Sequence, residues 1–201
     1  SHSGLPDRNL VRHGEGFFRV EGNFELGDGK AKVVAKYQNG DRKEFERNGV
    51  AVEKLSDHIG KFPVVMIAPD DVSLVQDGSE DRRRFLDTTL SQISAEYLQN
   101  LLVYNALLKQ RNALLKTFHE QRHFDPILLE SLDRQMPRPA SVIFEQRKHF
   151  VAQFKPYFAD FYAAISGSRE QVDLEYQSDL EKGSLDELLT QNLEKDRILQ
   201  R

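Results

Sequence analysis

The chain has 201 residues, of which 39% are hydrophobic and 30% charged, with a formal net charge of −4 and no cysteine. These values predict one large or two small folded domains, and they exclude disorder, disulfides and thiolate metal sites. No apolar run approaches the ~18 residues of a membrane helix, so a soluble, cytoplasmic protein is expected.

Charge is distributed unevenly along the chain. Residues 109–155 carry nine basic and five acidic side chains, whereas residues 63–108 carry three and seven, and residues 156–201 carry five and ten. The net charge argues against a uniformly basic nucleic-acid module. An acidic protein with one basic block can still present a local surface that attracts phosphates.

The first third of the sequence predicts an antiparallel sheet. Apolar side chains occupy even positions from Phe18 to Leu26, the period of a half-buried strand. The segment Gly27-Asp28-Gly29 predicts a turn, and Asn39-Gly40 and Asn48-Gly49 predict tight hairpin turns because both residue types tolerate positive φ. The pattern indicates a meander of three or four strands.

A continuous apolar run follows the predicted meander. A short helix is expected over residues 54–59, and residues 63–68 are apolar throughout and bounded by Pro63 and Pro69. A run of this kind predicts a strand that is buried on both faces.

From Ser79 onward the apolar period becomes 3.6, which predicts helices over residues 79–92 and 94–123. The second helix would be roughly 45 Å long at 1.5 Å per residue. Its apolar stripe consists of Tyr97, Leu101, Tyr104, Leu108, Leu115 and Phe118.

Further helices are predicted after Asp125, which precedes a proline and so resembles an N-cap. Pro137 and Pro139 are expected to end this shorter helix. Another long helix is expected over residues 140–165, kinked or split by Pro156. Its apolar side carries Phe144, Phe150, Phe154, Phe158, Phe161 and Ile165.

The end of the chain predicts a strand and a final helix. Residues 171–176 alternate like a strand returning to the sheet, and Ser184 with Glu187 forms a capping box. The expected fold class is α+β, an antiparallel β meander joined to an elongated antiparallel helical arm.

One short motif suggests metal chemistry. His119, Glu120 and His123 form H-E-x-x-H, in which two histidines on one helical face bind zinc and the glutamate acts as base. Glu145 is the only convenient third ligand. The alternative is a solvated helix end whose histidines and Arg122 meet the helix C-terminus or a phosphate.

No nucleotide-binding loop is present in the sequence. The pairs Gly29-Lys30 and Gly60-Lys61 lack both the upstream glycine and the following Ser or Thr of a P-loop. We therefore expect that this chain does not bind a triphosphate or catalyse its hydrolysis by itself.

The basic block includes a regular row of side chains. Lys109, Lys116 and His123 recur every seven residues and so share one helical face. Because they stand out against an acidic background, we predict that Lys109, Arg111 and Lys116 contact phosphates; ordinary solvation is the alternative for the lysines. Arg111 interrupts the apolar stripe, so it either pairs with a carboxylate of a neighbouring helix or projects where the stripe opens.

Three consecutive arginines, Arg82 to Arg84, lie in the first long helix. They point in directions about 100° apart, so at least one is expected to turn toward an acid such as Asp70, Asp71 or Asp87. Ion pairing and phosphate contact both remain open for Arg82 and Arg83.

Two spaced motifs resemble the RecF family of bacterial replication and recombination-repair ATPases. The first motif comprises Pro69, Asp70, Asp71, Leu74, Val75, Gly78, Arg82, Arg83, Phe85, Leu86 and Asp87. The second comprises Lys109, Gln110, Arg111, Asn112, Leu114 and Leu115. Ser79 departs from the family pattern, where proline is frequent.

The resemblance implies a head of the ABC and structural-maintenance-of-chromosomes type with a short helical arm. Residues 1–78 would then belong to the β-rich part of the head, residues 79–168 to the arm, and residues 169–201 to a return to the head. The P-loop would precede Ser1, and the signature motif and Walker B would follow Arg201. Pro69, Asp70 and Asp71 would lie in a Q-loop-like region near the nucleotide.

The resemblance also implies ATP-dependent dimerisation on gapped DNA, with RecO and RecR as partners in loading RecA. For the whole protein, the resemblance implies a weak ATPase that uses ATP and Mg²⁺. For this segment, it implies neither a cofactor nor a metal. The expected nucleic-acid contacts are Lys109, Arg111, Lys116, Arg122, Arg82 and Arg83, and the expected structural motif residues are Gly78, Phe85, Leu86, Asp87, Gln110 and Asn112. The alternatives are an arm that docks RecR or a second protomer through the aromatic helix, and a zinc peptidase.

Overall fold

The computed structural model describes residues 6–27, 29–38, 40, 43–65, 71, 73–76 and 78–200. The chain divides into two compact units, Ser1–Gly78 and Ser79–Arg201. Within the described residues, none of the helices combines the length and the apolar character that a bilayer crossing requires.

The first unit contains the predicted meander. Its four antiparallel strands pair in the order of the sequence: β1 (Phe17–Leu26), β2 (Gly29–Gln38), β3 (Glu44–Arg47) and β4 (Val50–Ala51). Asn48 and Gly49 join β3 to β4 with φ values of 52° and 80°, which a tight hairpin turn requires. The Asn48 Oδ1 also accepts a hydrogen bond from the Lys32 backbone N–H at 2.8 Å.

Aromatic rings pack on one face of this sheet. Phe24 pairs with Ala31, and Phe45 pairs with Ala35, which lies on the same face of β2. The Phe24 and Phe62 rings are 4.4 Å apart, and His58 lies 5.3 Å from Phe62. The predicted helix over residues 54–59 is only a 3₁₀ turn at Leu55–Asp57.

The buried strand predicted over residues 63–68 does not form where the structure describes it. Residues 63–65 adopt no strand, and Val65 is 91% exposed; residues 66–70 lie outside the described residues. A strand buried on both faces needs sheet neighbours and covering helices, and the described part of this unit supplies neither at Val65. A short helix, α1 (Ser73–Gln76), follows.

The second unit is helical. Its helices are α2 (Ser79–Ile93), α3 (Ala95–Gln121), α4 (Pro126–Asp133), α5 (Pro137–Ser166) and α6 (Leu185–Leu199). Helix α3 packs against all four of the others, and α5 also contacts α2 and α6. The start of α3 lies beside the middle of α5 and its later turns lie beside α4, so α3 and α5 run antiparallel, as predicted.

Side-chain caps set the helix starts, and those at Asp125 and Ser184 were predicted. Ser94 Oγ accepts from the Tyr97 N–H, and Asp125 accepts from the first two N–H groups that follow Pro126. Ser184 and Glu187 form the complete capping box that opens α6. These residues satisfy N–H groups that have no partner inside the helix.

The prediction that Pro137 ends α4 is wrong, and so is the alternative in which Pro156 splits the long helix. Pro137 begins α5 instead of ending α4, because a helix tolerates proline in its first turn. Pro156 lies inside a continuous α5, so it does not split the helix.

The prediction of a strand over residues 171–176 is also wrong. This segment forms no strand in the described structure, and its side chains contact α5 instead. Tyr176 lies 5.9 Å from Phe144 between ring centroids, and Asp173 pairs with Lys155 at 2.7 Å. Alternation alone does not supply the neighbouring strand that a sheet needs.

The helical unit has two core clusters, which confirm the predicted stripe of α3. One consists of Leu90, Tyr97 and Ile143, and the other consists of Leu115, Phe118 and Leu129. The stripe therefore joins α2 and α5 at one end of α3 and α4 at the other.

Candidate nucleic-acid interface

Two lysines of α3 form the exposed part of the basic block. Lys109 is exposed and makes no ion pair within the described residues. Lys116 is about two-thirds exposed, and its Nζ lies 3.9 Å from the Glu120 carboxylate, a separation at which an exposed pair contributes little. Both ammonium groups are therefore accessible to a phosphate.

Arg111 is not placed to contact a phosphate. Its side chain is 2% exposed, with Nε donating to Asp133 at 2.8 Å and Nη1 lying 2.9 Å from Asp196. These carboxylates belong to α4 and α6. A buried guanidinium requires anionic partners. Arg111 therefore pairs with carboxylates of neighbouring helices, which is the first of the two alternatives that the sequence left open. The prediction that Arg111 contacts DNA is wrong.

A second buried arginine joins the other end of α3 to α2 and α5. Arg147 donates from Nη2 to Asp87 at 2.5 Å and from Nε to the Tyr97 hydroxyl at 2.9 Å. The Tyr97 hydroxyl donates in turn to the same Asp87 oxygen at 2.5 Å. Burial, and then the Asp87 hydrogen bond, raise the pKa of Tyr97, so the phenol remains a neutral donor.

Three consecutive arginines of α2 lie at the surface, and Asp87, one of the acids expected to pair with them, pairs elsewhere. Arg82, Arg83 and Arg84 are all exposed, and the partner of Asp87 is Arg147. Arg83 donates to Ser79 Oγ at 2.7 Å, and Arg84 lies 3.3 Å from Asp81 in its own helix.

The H-E-x-x-H motif does not lie on one helix. Helix α3 ends at Gln121, and Arg122 has a φ of 52°, so the chain leaves the helix before His123. The zinc motif needs both histidines on successive turns of one helix. In the part of the chain that the structure describes, no group of three His, Cys, Asp or Glu is arranged to bind a metal ion, and the zinc-peptidase alternative fails.

The remaining predicted residues have varied positions. Pro69 and Asp70 lie outside the described residues, whereas Asp71 is described and half-buried. The Phe85 and Phe154 ring centroids are 6.5 Å apart. Among the other motif residues, Gly78 and Gln110 are exposed and Leu86 is half-buried. The buried Oδ1 of Asn112 has no hydrogen-bond partner among the described residues.

Sequence reasoning missed Asp133, Asp196 and Arg147. A signal was available for Arg147, which interrupts the aromatic stripe of α5 as Arg111 interrupts that of α3. No local pattern distinguishes the two aspartates from solvated acids of an exposed helical face.

Comparison with solved structures identifies the class. The chain matches a structure described as the recombination mediator protein RecF with ATP, with a TM-score of 0.87 and 27% identity, over 100% of this chain and 56% of that one. A RecF-ATPrS structure matches with a TM-score of 0.84 at the same identity and coverage. The fold is part of an ABC-type ATPase head, an antiparallel meander with packed helices, as predicted. A scan against protein-family models found no match.

Sequence relatives identify the particular family. The chain is 41% identical over 189 residues to the DNA replication and repair protein RecF of Flavobacterium johnsoniae, covering 94% of this chain and 53% of that protein. It is 42% identical over 202 residues to RecF of Porphyromonas gingivalis, covering 99% and 54%. The chain spans about half the length of the curated relatives it matches. The resemblance is confirmed: this chain is a RecF-like sequence and corresponds to the middle portion of RecF.

Proposed function

We propose that this chain is a DNA-contacting segment of a RecF-like replication and repair protein, and that it contributes phosphate contacts and not ATP hydrolysis. The observation that carries the proposal is the separation of roles on α3. Arg111 is buried among carboxylates, while Lys109 and Lys116 remain exposed on one helical face of a RecF-like chain.

The spacing of the two lysines suits a nucleic-acid backbone. Seven residues of α-helix advance roughly 10 Å, which corresponds to about three nucleotide steps of one DNA strand. Arg122 lies at the end of the same helix, and Arg82 with Arg83 supplies a second exposed basic surface on α2. Lysine contacts of this kind supply affinity without base specificity.

The whole protein would bind gapped DNA as an ATP-dependent dimer in the cytoplasm and support RecA loading with RecO and RecR. In this proposal residues 1–78 and 169–201 belong to the head, and residues 79–168 form the arm. The sequence contains no P-loop, so no residue here is assigned to the ATP phosphates or to Mg²⁺. Pro69, Asp70 and Asp71 retain the proposed Q-loop role.

The test uses the full-length protein that contains this chain. Replacing Lys109→Ala and Lys116→Ala should lower DNA affinity. It should also flatten the slope of log K against log salt by roughly 0.9 for each duplex phosphate that is no longer neutralised, or by roughly 0.7 on single strands. The matched control is Lys54→Ala with Lys61→Ala, two exposed lysines that are also seven residues apart. Unchanged affinity and slope in the α3 variant would contradict the proposal.

A second candidate function has its own observation. Near its C-terminal end, α5 exposes an apolar row in which Tyr157 is 64%, Phe161 is 71% and Ile165 is 86% exposed. An apolar surface of this kind suits a protein partner, and RecR or a second protomer is the candidate. Phe161→Ser with Ile165→Ser should then abolish RecR capture or dimerisation and leave the salt slope of DNA binding unchanged.

A further inference from the structure

A cleft of about 560 Å³ opens between the end of α3 and the last turns of α6. We propose that it binds one nucleotide of a single DNA strand, with the phosphate at Arg122 and the base against an apolar and guanidinium-lined wall. The inference rests on the proposed DNA-binding function and adds a place and a strand preference. The volume falls in the range of about 300–1,000 Å³ that small-ligand sites span.

Arg122, at the end of α3, is one of the residues that line this cleft. Its φ of 52° is left-handed, a conformation that is uncommon for a non-glycine residue. The Arg122 N–H donates to the His119 carbonyl at 3.3 Å, and the His123 N–H donates to the Phe118 carbonyl at 3.2 Å. The backbone therefore caps the helix, and the guanidinium lines the cleft without an ion pair in the described part of the chain.

The rest of the cleft lining is partly apolar. The Arg197 guanidinium lies 4.2 Å from the Phe124 ring centroid and pairs with Glu194 at 2.7 Å. Phe124 is itself fixed by an edge-on contact with Phe118, with centroids 5.3 Å apart. Ile198 lines the same wall and is 75% exposed.

This combination fits a nucleotide better than an acidic peptide. Bases stack on aromatic rings and on guanidinium planes, and their phosphates need nearby cations. His119 lies three positions after Lys116 on α3 and lines the cleft. Residues three apart are neighbours on a helix surface, so a strand that contacts the lysines leads toward the cleft. A duplex keeps its bases stacked on one another and does not offer one to this wall.

The charged side chains that line the cleft favour a phosphate. They are Arg122 on one side and Glu194 and Arg197 on the other. The nearby carboxylates of Glu120 and Asp125 face Lys116 and the N-terminus of α4. The guanidinium groups that line the cleft therefore outnumber the carboxylate that lines it.

The test measures binding of a fluorescent oligo-dT strand and of a duplex to the full-length protein by anisotropy, at fixed pH and salt. Arg122→Asn removes the charge and keeps a residue that tolerates positive φ, and Ile198→Ser weakens the wall. Each should lower oligo-dT affinity by about tenfold, within the range for one stacked base, and Ile198→Ser should leave duplex affinity within twofold.

Lys195→Gln is the matched control, because Lys195 is exposed on α6 and does not line the cleft. It should leave oligo-dT affinity within twofold, and Arg122→Lys should restore most of the affinity that Arg122→Asn removes.

Distinct results would overturn each claim. If the cleft variants bind oligo-dT like the wild type while the Lys109 and Lys116 variant binds more weakly, the cleft inference is wrong and the proposed function stands. If only the cleft variants weaken binding, the inference stands and the lysine row is wrong. Displacement of oligo-dT by polyglutamate of equal charge at equal concentration would assign the cleft to acidic peptides and overturn the inference.

Discussion

The meander and the helical unit use ion pairs in different ways. In the sheet, Lys32 pairs with Glu21 across β1 and β2 at 2.6 Å, with both side chains partly in solvent. In the helical unit, Arg111 is 2% exposed between two carboxylates. Exposed pairs contribute about 0–1 kcal/mol, whereas removing one member of a buried pair leaves an unpaired charge and costs several. The same residue types therefore form exposed surface pairs in the sheet and determine how the helices pack in the helical unit.

The two units also differ in how completely they bury apolar side chains. Among the described residues of the first unit, only Ala31 and Val34 are fully buried hydrophobic residues, and Val50 is 70% exposed. The helical unit contains two core clusters of its own. Substitutions of similar chemistry should therefore have larger effects in the helices than in the sheet.

The largest effect is expected for Arg111→Met. Removing the guanidinium leaves Asp133 and Asp196 facing each other without a cation, which should lower the free energy of unfolding by about 3–5 kcal/mol. Urea unfolding followed by circular dichroism at 222 nm measures this change. Lys109→Met on the same helix and Lys32→Met in the sheet are the controls, with expected changes below about 1 kcal/mol. Equal effects at Arg111 and Lys32 would remove the contrast between the units.

The next effect is expected for Leu115→Ala. Leu115 is almost fully buried between Phe118 and Leu129, so its truncation should leave a cavity and cost about 2–5 kcal/mol. Val50→Ala in the sheet should change stability by less than about 0.5 kcal/mol because Val50 is exposed. Thermal melting of both variants provides the comparison, and a larger loss for Val50→Ala would contradict it.

A smaller effect is expected for Tyr97→Phe. The change removes a donor to Asp87 and an acceptor for Arg147 while keeping the buried ring, which should cost about 1–2 kcal/mol. Tyr157→Phe is the matched control, because Tyr157 is on the exposed part of α5. Urea midpoints that fall equally in both variants would show that the buried hydroxyl has no special role.

The smallest effect concerns the pH dependence of the sheet. Burial lowers the pKa of His58 from its usual 6.5, and the charge of Arg47 lowers it further. The neutral form is thus favoured when folded, so this contribution to stability is present above pH 6.5 and is lost as the pH falls through the folded value. His58→Gln should flatten the stability profile of the first unit between pH 7 and pH 5, measured by chemical-shift changes of the sheet during urea titration. An unchanged profile would contradict the role of His58.

Much of the fold was predictable because it depends on local sequence patterns. Ser94, Asp125 and Ser184 cap the helices that they were predicted to start, and Asn48 with Gly49 forms the predicted turn. These features depend on backbone geometry among residues a few positions apart. The candidate site was only partly predictable. The exposure of Lys109 and Lys116 follows from their shared face, but the burial of Arg111 between two carboxylates does not.

The sequence by itself determined the strand and helix periods, the caps and the apolar stripe of α3, since each follows from steric and hydrogen-bonding constraints between near neighbours. Only the tertiary structure decided which carboxylates neutralise the buried arginines. Arg111 pairs with Asp133, which is 22 positions away in the sequence, and Arg147 pairs with Asp87, which is 60 positions away. The tertiary structure also places α6 beside the end of α3, which lies before His123. The cleft at Arg122 therefore exists only because two distant segments pack together.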